Sequence, residues 1–197
     1  MTSIPYTTEI RPDTGVTNPK LGMWVFLASE VMLFGSLFSA YALLRYADPN
    51  WPDQSAIVNV PLGAVNTLIL IGSSVAMAMG SKAARADDAA RARRFMWITV
   101  LCGVVFLGIK GFEYAEKLSR GLRPATNNFV GLYFTMTGVH ALHVVGGLLV
   151  LLFLLVPGAR MATRNPRLYA GRVEVTGLYW QFVDVVWLVL FTVLYLL

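Results

Sequence analysis

Five long runs of apolar residues, separated by short polar segments, dominate the hydrophobic pattern of the chain. Each run exceeds the about 20 residues that an α-helix needs to cross a hydrocarbon core about 30 Å thick. Only helices and closed barrels satisfy their backbone polar groups in lipid, and these runs are too long and too continuous for barrel strands. The pattern therefore predicts an all-α protein, an integral membrane bundle of five transmembrane helices. The predicted spans cover residues 21–44, 57–80, 95–116, 129–156 and 175–197.

The segments between the runs are too short to form a second domain. We expect residues 1–20 to be a cytoplasmic N-terminal tail and residues 21–197 to form one five-helix membrane domain. The composition supports this division, because 56% of the residues are hydrophobic and 14% are charged. A soluble domain carries about 25% charged residues, so a soluble enzyme is excluded.

The distribution of lysine and arginine predicts the orientation in the membrane, because basic residues accumulate in cytoplasmic loops. Eleven of the 16 lie in the tail and in the segments 81–94 and 157–174, whereas four lie in the segments 45–56 and 117–128. We therefore expect a cytoplasmic N-terminus and a C-terminus on the outer side. The basic residues form no stripe interleaved with aromatic residues outside the apolar runs, so we expect no nucleic-acid partner.

Polar and ionisable side chains inside the apolar runs are the candidate functional residues. A charge at the membrane centre costs about 3 kcal/mol or more unless it is paired, protonated or covered by protein. We therefore expect these side chains to be buried in the bundle or to contact another subunit or a lipid. They are Glu30, Lys110, Glu113, His140, His143, Gln181 and Asp184.

The spacing of some of these residues predicts pairs along one helix. Lys110 and Glu113 are three residues apart and can form a structural ion pair, with Lys117 extending outwards to the membrane surface. Glu30 lies near the expected midplane of the first span. It is either protonated and hydrogen-bonded within the bundle or part of a proton or partner interface.

Two histidines and a polar stripe predict packing interactions. His140 and His143 lie on one helix, and a metal there would need ligands from another subunit because the other runs contain no histidine. We expect them to be hydrogen-bonded packing residues. Gln181 and Asp184, with Glu174, predict a buried polar stripe. The runs contain no nucleophile beside a base and no cluster at metal-ligand spacing, so we predict no catalytic, cofactor-binding or metal-binding residue.

Small residues in the first, third and fourth runs predict close contacts between helices. They include Gly35, Gly103, Gly108, Gly111 and Gly147.

Four segments that contain the polar residues carry a family resemblance. They are WVFLASEVMLFGSLFSAY, FLGIKGFEY, FTMTGVHALHVVGG and LYWQFVDVVWLVLFTVLYL. Together they resemble subunit III of the haem–copper terminal oxidases, in its short five-helix bacterial form. One departure stands out, because Gln181 follows Trp180 where the family usually has a histidine.

The resemblance implies a non-catalytic subunit of a respiratory complex that reduces oxygen and pumps protons. Haem and copper are implied in the partner subunits I and II, with none in this chain. The implied partners are subunit I, which the helix of Glu30 would face, the other subunits of the complex or a respiratory supercomplex, and tightly bound phospholipid. The resemblance also implies support of sustained proton uptake and a location in the bacterial cytoplasmic membrane.

Three other functions remain open at this point. The chain could accompany a nitric oxide reductase as a subunit III-like component. It could be a small proton-coupled transporter that uses Glu30 and Asp184 as a relay, or a haem-binding membrane anchor.

Overall fold

The chain folds into long helices. The computed structural model describes residues 6–197, and within them there is no β-strand. Five helices in this range are long and apolar enough to cross a membrane. They are α1 (Asn18–Ala47), α2 (Val60–Arg85), α3 (Ala89–Ser119), α4 (Asn128–Leu155) and, after the short α5 (Ala159–Arg164), α6 (Pro166–Phe191). The predicted five-helix membrane bundle is confirmed. The first five residues of the expected tail lie outside the described residues.

Asparagine and aspartate side chains fix where four of the long helices begin. Each accepts a hydrogen bond from the backbone N–H three residues further on, which satisfies a donor that the first helical turn leaves free. The capping residues are Asn59, Asp88, Asn127 and Asn165. Two of these caps, Asp88 and Asn165, lie well before the predicted spans, so α3 begins at Ala89 and α6 at Pro166 rather than at 95 and 175. The α6 helix ends in a π-helical turn, Thr192–Leu196.

Four helices close into a ring, and α1 lies outside it. Around the ring, α2 packs on α3, α3 on α4, α4 on α6, and α6 on α2. The α1 helix packs against α6 and α4 from the outside. Only 6% of the most apolar part of α1 is buried, compared with 33% to 44% in the four ring helices. Most of the apolar surface of α1 is therefore exposed in the isolated chain.

Close packing inside the ring depends on two glycines beside one tryptophan. Trp180 is fully buried, and a Cβ atom added to Gly147 or Gly103 would lie 2.8 or 2.9 Å from its ring. The predicted close contacts are confirmed at these two positions. The same prediction is wrong at Gly35, Gly108 and Gly111, where no other part of the described chain lies within 4 Å of the added Cβ. These three glycines lie on the outside of the bundle.

Candidate functional site

One buried ion cluster joins α3 to α4 and to the end of α6. The Nζ atom of Lys110 lies 2.7 Å from Oε2 of Glu113, and Nζ of Lys117 lies 3.2 Å from Oε1 of the same carboxylate. Lys110 also donates to the hydroxyls of Tyr133 and Tyr195, at 2.9 and 2.8 Å. The Tyr195 hydroxyl in turn donates to Oε1 of Glu113 at 2.8 Å. We refer to these five residues as the α3 ion cluster.

The α3 ion cluster corrects the expectation for Lys117. Its side chain does not extend outwards, because the residue is 3% exposed and bonded to Glu113. Its Nζ atom also lies 4.8 Å from the centre of the Tyr133 ring, a cation–π distance. The carboxylate and the ring therefore replace the water that a snorkelling lysine would reach. Breaking such a buried group by removing one partner is strongly destabilising.

A second polar pair attaches α1 to α4. Oε2 of Glu30 lies 2.9 Å from Nε2 of His143, and Nδ1 of His143 lies 2.8 Å from the carbonyl oxygen of Val139. Because a carbonyl oxygen only accepts, Nδ1 carries a hydrogen. The contact at Nε2 then needs one more proton, either on Glu30 as a neutral acid or on His143 as an imidazolium. The geometry therefore makes Glu30 and His143 a pair that holds one shared proton.

Aromatic side chains surround the Glu30–His143 pair. The ring of Phe34 lies edge-on to His143 with 5.2 Å between the ring centres. The hydroxyl of Tyr179 donates to the carbonyl oxygen of His143 at 2.9 Å. These rings leave the side chains of Glu30 and His143 only 13% and 17% exposed. The pair is thus shielded, although α1 is a peripheral helix.

Two further bonds attach α1 near its ends. Nζ of Lys20 lies 2.8 Å from a carboxylate oxygen of Glu174 in α6, and the Tyr41 hydroxyl donates to the carbonyl oxygen of Val193 at 3.1 Å. With the Glu30–His143 pair, they hold α1 at three levels along its length. Polar bonds therefore compensate for the small apolar contact area of this helix.

His140 points into the ring rather than towards α1. It is fully buried between the rings of Phe106 and Trp187, and neither of its ring nitrogens has a hydrogen-bond partner within residues 6–197. The expected hydrogen bond is therefore found for His143 but not for His140. The side-chain oxygen of the nearby α2 residue Asn66 is likewise unpartnered in this range, although its amide donates to the Phe106 carbonyl at 3.4 Å.

Asp184 and Gln181 both line the groove between α2 and α6, but they differ in how far their side chains are exposed. Asp184 is 5% exposed, and Gln181 lies on the exposed surface. Glu174 bonds to Lys20 instead, so the predicted continuous buried stripe is wrong. No group of three or more His, Cys, Asp or Glu residues within the described range is arranged to hold a metal ion. The α3 ion cluster holds buried charges, and the Glu30–His143 pair can hold a proton.

Sequence reasoning missed the tyrosines of the α3 ion cluster and the partner of Glu30. Tyr133 and Tyr195 lie in apolar runs, where an aromatic residue near a span end has no feature that identifies it as a charge partner. Glu30 and His143 are 113 residues apart in the chain. Only the packing of α1 on α4 brings them together.

Comparison with known proteins identifies the family of the chain. The profile of the family described as "Cytochrome c oxidase subunit III" matches residues 13–197. The chain is 43% identical over 177 residues to a cytochrome c oxidase subunit 3 of Thermostichus vulcanus, covering 90% of this chain and 86% of that protein. It is 35% identical over 181 residues to the cytochrome c oxidase subunit 3 of Bacillus sp. strain PS3, covering 91% and 86%.

A relative from a different oxidase also matches. The chain is 32% identical over 181 residues to the cytochrome bo(3) ubiquinol oxidase subunit 3 of Pseudomonas aeruginosa, covering 91% of this chain and 85% of that protein. The resemblance of the four polar segments is thereby confirmed over nearly the whole chain. The five membrane-crossing helices and the matched residues agree: the chain belongs to the cytochrome c oxidase subunit III family.

Proposed function

We propose that the chain is the non-catalytic subunit III of a respiratory haem–copper oxidase in a bacterial cytoplasmic membrane. The similarity to oxidase subunits over nine-tenths of the chain carries the proposal. In this function the chain packs on subunit I, which reduces oxygen and pumps protons. Haem and copper reside in subunits I and II. The N-terminus lies in the cytoplasm and the C-terminus outside, as the distribution of basic residues favours.

The Glu30–His143 pair supports a role close to proton movement. It holds one proton inside the apolar part of the bundle, on the face where α1 packs against α4. A group that keeps a proton without a net charge is compatible with a bilayer interior. In this proposal, α1 and its pair help subunit I to sustain proton uptake during turnover.

A basic cavity supports the binding of anionic phospholipid. The cavity has a volume of about 480 Å³ and lies where α1 and α6 begin and α2 ends. Four cationic side chains line it, compared with two acidic ones, Asp87 and Glu174. The cationic residues are Lys20, Arg85, Arg167 and Arg172. A phosphate headgroup at the cytoplasmic surface fits this charge.

Purification of the chain from its native membrane in a mild detergent tests the proposal. We expect a haem–copper subunit to co-purify, with a haem absorption spectrum and oxygen consumption supported by reduced cytochrome c or by a quinol. Relatives of both kinds match the chain, so both electron donors are supplied separately. Absence of a haem–copper subunit would refute the proposal, and consumption of nitric oxide instead of oxygen would move the chain to a reductase complex.

A complex stripped of the chain tests the supporting role. We expect its oxygen consumption to start at a normal rate and then to decline with successive turnovers, because proton uptake fails. Adding the purified chain back should restore sustained activity. Equal time courses with and without the chain would remove proton uptake from the proposal while leaving the assignment as a subunit intact.

A further inference from the structure

The groove between α2 and α6 contains an open cavity at the middle of the membrane-crossing part. Its volume is about 350 Å³. Apolar side chains on its sides are exposed, among them Ile71, Val75 and Val185. Polar groups line the same cavity at Ser74, Gln181 and Asp184. A lipid-facing surface of a bundle is normally apolar, whereas this surface combines exposed apolar side chains with polar groups.

Asp184, the buried polar group of the cavity, lacks a well-formed hydrogen bond within residues 6–197. Asp184 is 5% exposed, yet neither carboxyl oxygen accepts a hydrogen bond of ordinary geometry from residues 6–197, despite the neighbouring hydroxyls of Ser73 and Ser74. Ser73 donates to the Leu70 carbonyl instead. Gln181, at the rim, is exposed. A buried polar group without a partner is costly, and more so in hydrocarbon.

The depth of the cavity decides what can supply the missing partner. Gln181 lies midway between Pro166 and Leu196, and Ser74 lies more than ten residues from either end of α2. At about 1.5 Å per residue, Gln181 is roughly 10 Å from Glu174 and Ser74 roughly 12 Å from Lys82, the nearest charged residues at the membrane surface, so both lie within the hydrocarbon region. Phospholipid headgroups do not reach this depth, and acyl chains offer no hydrogen bond. A membrane-crossing helix with a polar side chain near its middle offers one.

We infer that the α2/α6 groove receives a transmembrane helix of another subunit, which places an amide or hydroxyl side chain in the cavity beside Gln181 and Asp184. Such a side chain both donates and accepts, which matches an amide at the rim and a carboxyl at the inner wall. The exposed apolar residues on both sides then pack against the incoming helix. This docking surface is separate from α1, which lies against the α4 side of α6. The inference rests on the proposed function, since it requires a partner subunit.

Filling the groove tests the inference in the native complex. Ala78 lines the cavity and is exposed, so Ala78→Trp blocks the groove without disturbing the interior of the ring. Leu149→Trp on α4 is the matched control, because Leu149 is 63% exposed on the helix opposite α2 in the ring. We expect Ala78→Trp to lower roughly tenfold the amount retained per chain of the subunit that cross-links at position 181. Leu149→Trp should retain that subunit as the wild type does. Thermal unfolding of both purified variants checks that the bundle itself is intact.

A photo-reactive amino acid at Gln181 identifies what occupies the groove. We expect illumination of the native complex to join Gln181 to a membrane-crossing peptide of another subunit, with a polar residue in that peptide. A lipid adduct at this position, or full retention of the partner by Ala78→Trp, would overturn the inference. If the wild-type chain itself retains no haem–copper subunit, the proposed function fails instead, so the two failures are distinguishable.

Discussion

The carboxyl group of Glu30 in α1 and the imidazole of His143 in α4 lie 2.9 Å apart and hold one proton between them. Both arrangements of that proton leave the pair without net charge, because a neutral acid faces a neutral ring or a carboxylate faces an imidazolium. A neutral pair avoids most of the cost of placing a charge in hydrocarbon. The pair can therefore lie beneath a peripheral helix that contributes little apolar burial.

Glu30→Gln should leave assembly of the complex nearly unchanged. The amide can still donate to Nε2 of His143, so α1 keeps its central attachment while the shared proton is lost. The ratio of this chain to subunit I in the purified complex measures assembly. If proton uptake depends on the pair, the same variant should lose activity faster during turnover.

Glu30→Lys is the contrasting variant. It places an ammonium group without a counter-charge near the middle of the membrane, at a cost of about 3 kcal/mol or more. We expect the chain to be missing from most of the purified complex. If the Glu30→Lys chain were present at the wild-type ratio, that result would contradict the conclusion that Glu30 is enclosed by protein.

Glu113→Gln should destabilise the bundle more than any surface charge change. It leaves Lys110 and Lys117 buried without their carboxylate, which should lower the free energy of unfolding by about 3–5 kcal/mol. Thermal unfolding of the purified chain in detergent measures the effect. Glu116→Gln is the control three residues away, because its partner Arg120 is largely exposed, and it should change stability by less than about 1 kcal/mol. Similar melting temperatures for the two variants would refute the structural role of the α3 ion cluster.

Gly147→Ala should be destabilising where Gly108→Ala is not. The added Cβ at position 147 would lie 2.8 Å from the buried Trp180 ring, and overpacking of this kind costs about 1–3 kcal/mol. Gly108 has no described neighbour within 4 Å, so alanine there should be neutral or should stabilise α3 by up to about 1 kcal/mol. Denaturant or thermal unfolding of both variants makes the comparison. Equal losses would mean that Trp180 does not pack against α4 as described.

The two histidines should respond differently to leucine. His143→Leu removes the partner of Glu30 and should lower the free energy of unfolding by about 1–3 kcal/mol. His140→Leu removes no hydrogen bond within the described residues and should stay within about 1 kcal/mol of the wild type. Unfolding experiments on the two variants test this order. A larger loss at His140 would point to a buried partner such as an ordered water.

The helices follow from the sequence, but the pairing of polar groups inside the bundle does not. Length and hydropathy identify each span, because lipid leaves few alternatives to a helix. His140 and His143 show the limit of local spacing. Three residues rotate a helix to positions about 60° apart, so one ring faces Trp187 inside the bundle and the other faces Glu30. The three-residue spacing predicts that the two histidines lie on one face of the helix, but it does not identify the neighbour of either ring.

Lys117 shows the same limit for depth. A lysine near the end of a span ordinarily extends to water. Here the carboxylate of Glu113 and the ring of Tyr133 lie close enough to keep it inside. Tyr133 belongs to another helix, so the information that decides the position of Lys117 is absent from its own segment.

The residues to which α1 bonds are synthesised long after α1 itself. Lys20, Glu30 and Tyr41 bond to residues that are synthesised 154, 113 and 152 positions later. While the ribosome is still synthesising the ring helices, the nascent α1 lies in the bilayer without any of these three bonds. A protonated Glu30 is the form that lipid tolerates during that interval. Although α1 precedes the four ring helices in the chain, it therefore makes these attachments only after α4 and α6 have formed the surface that receives it.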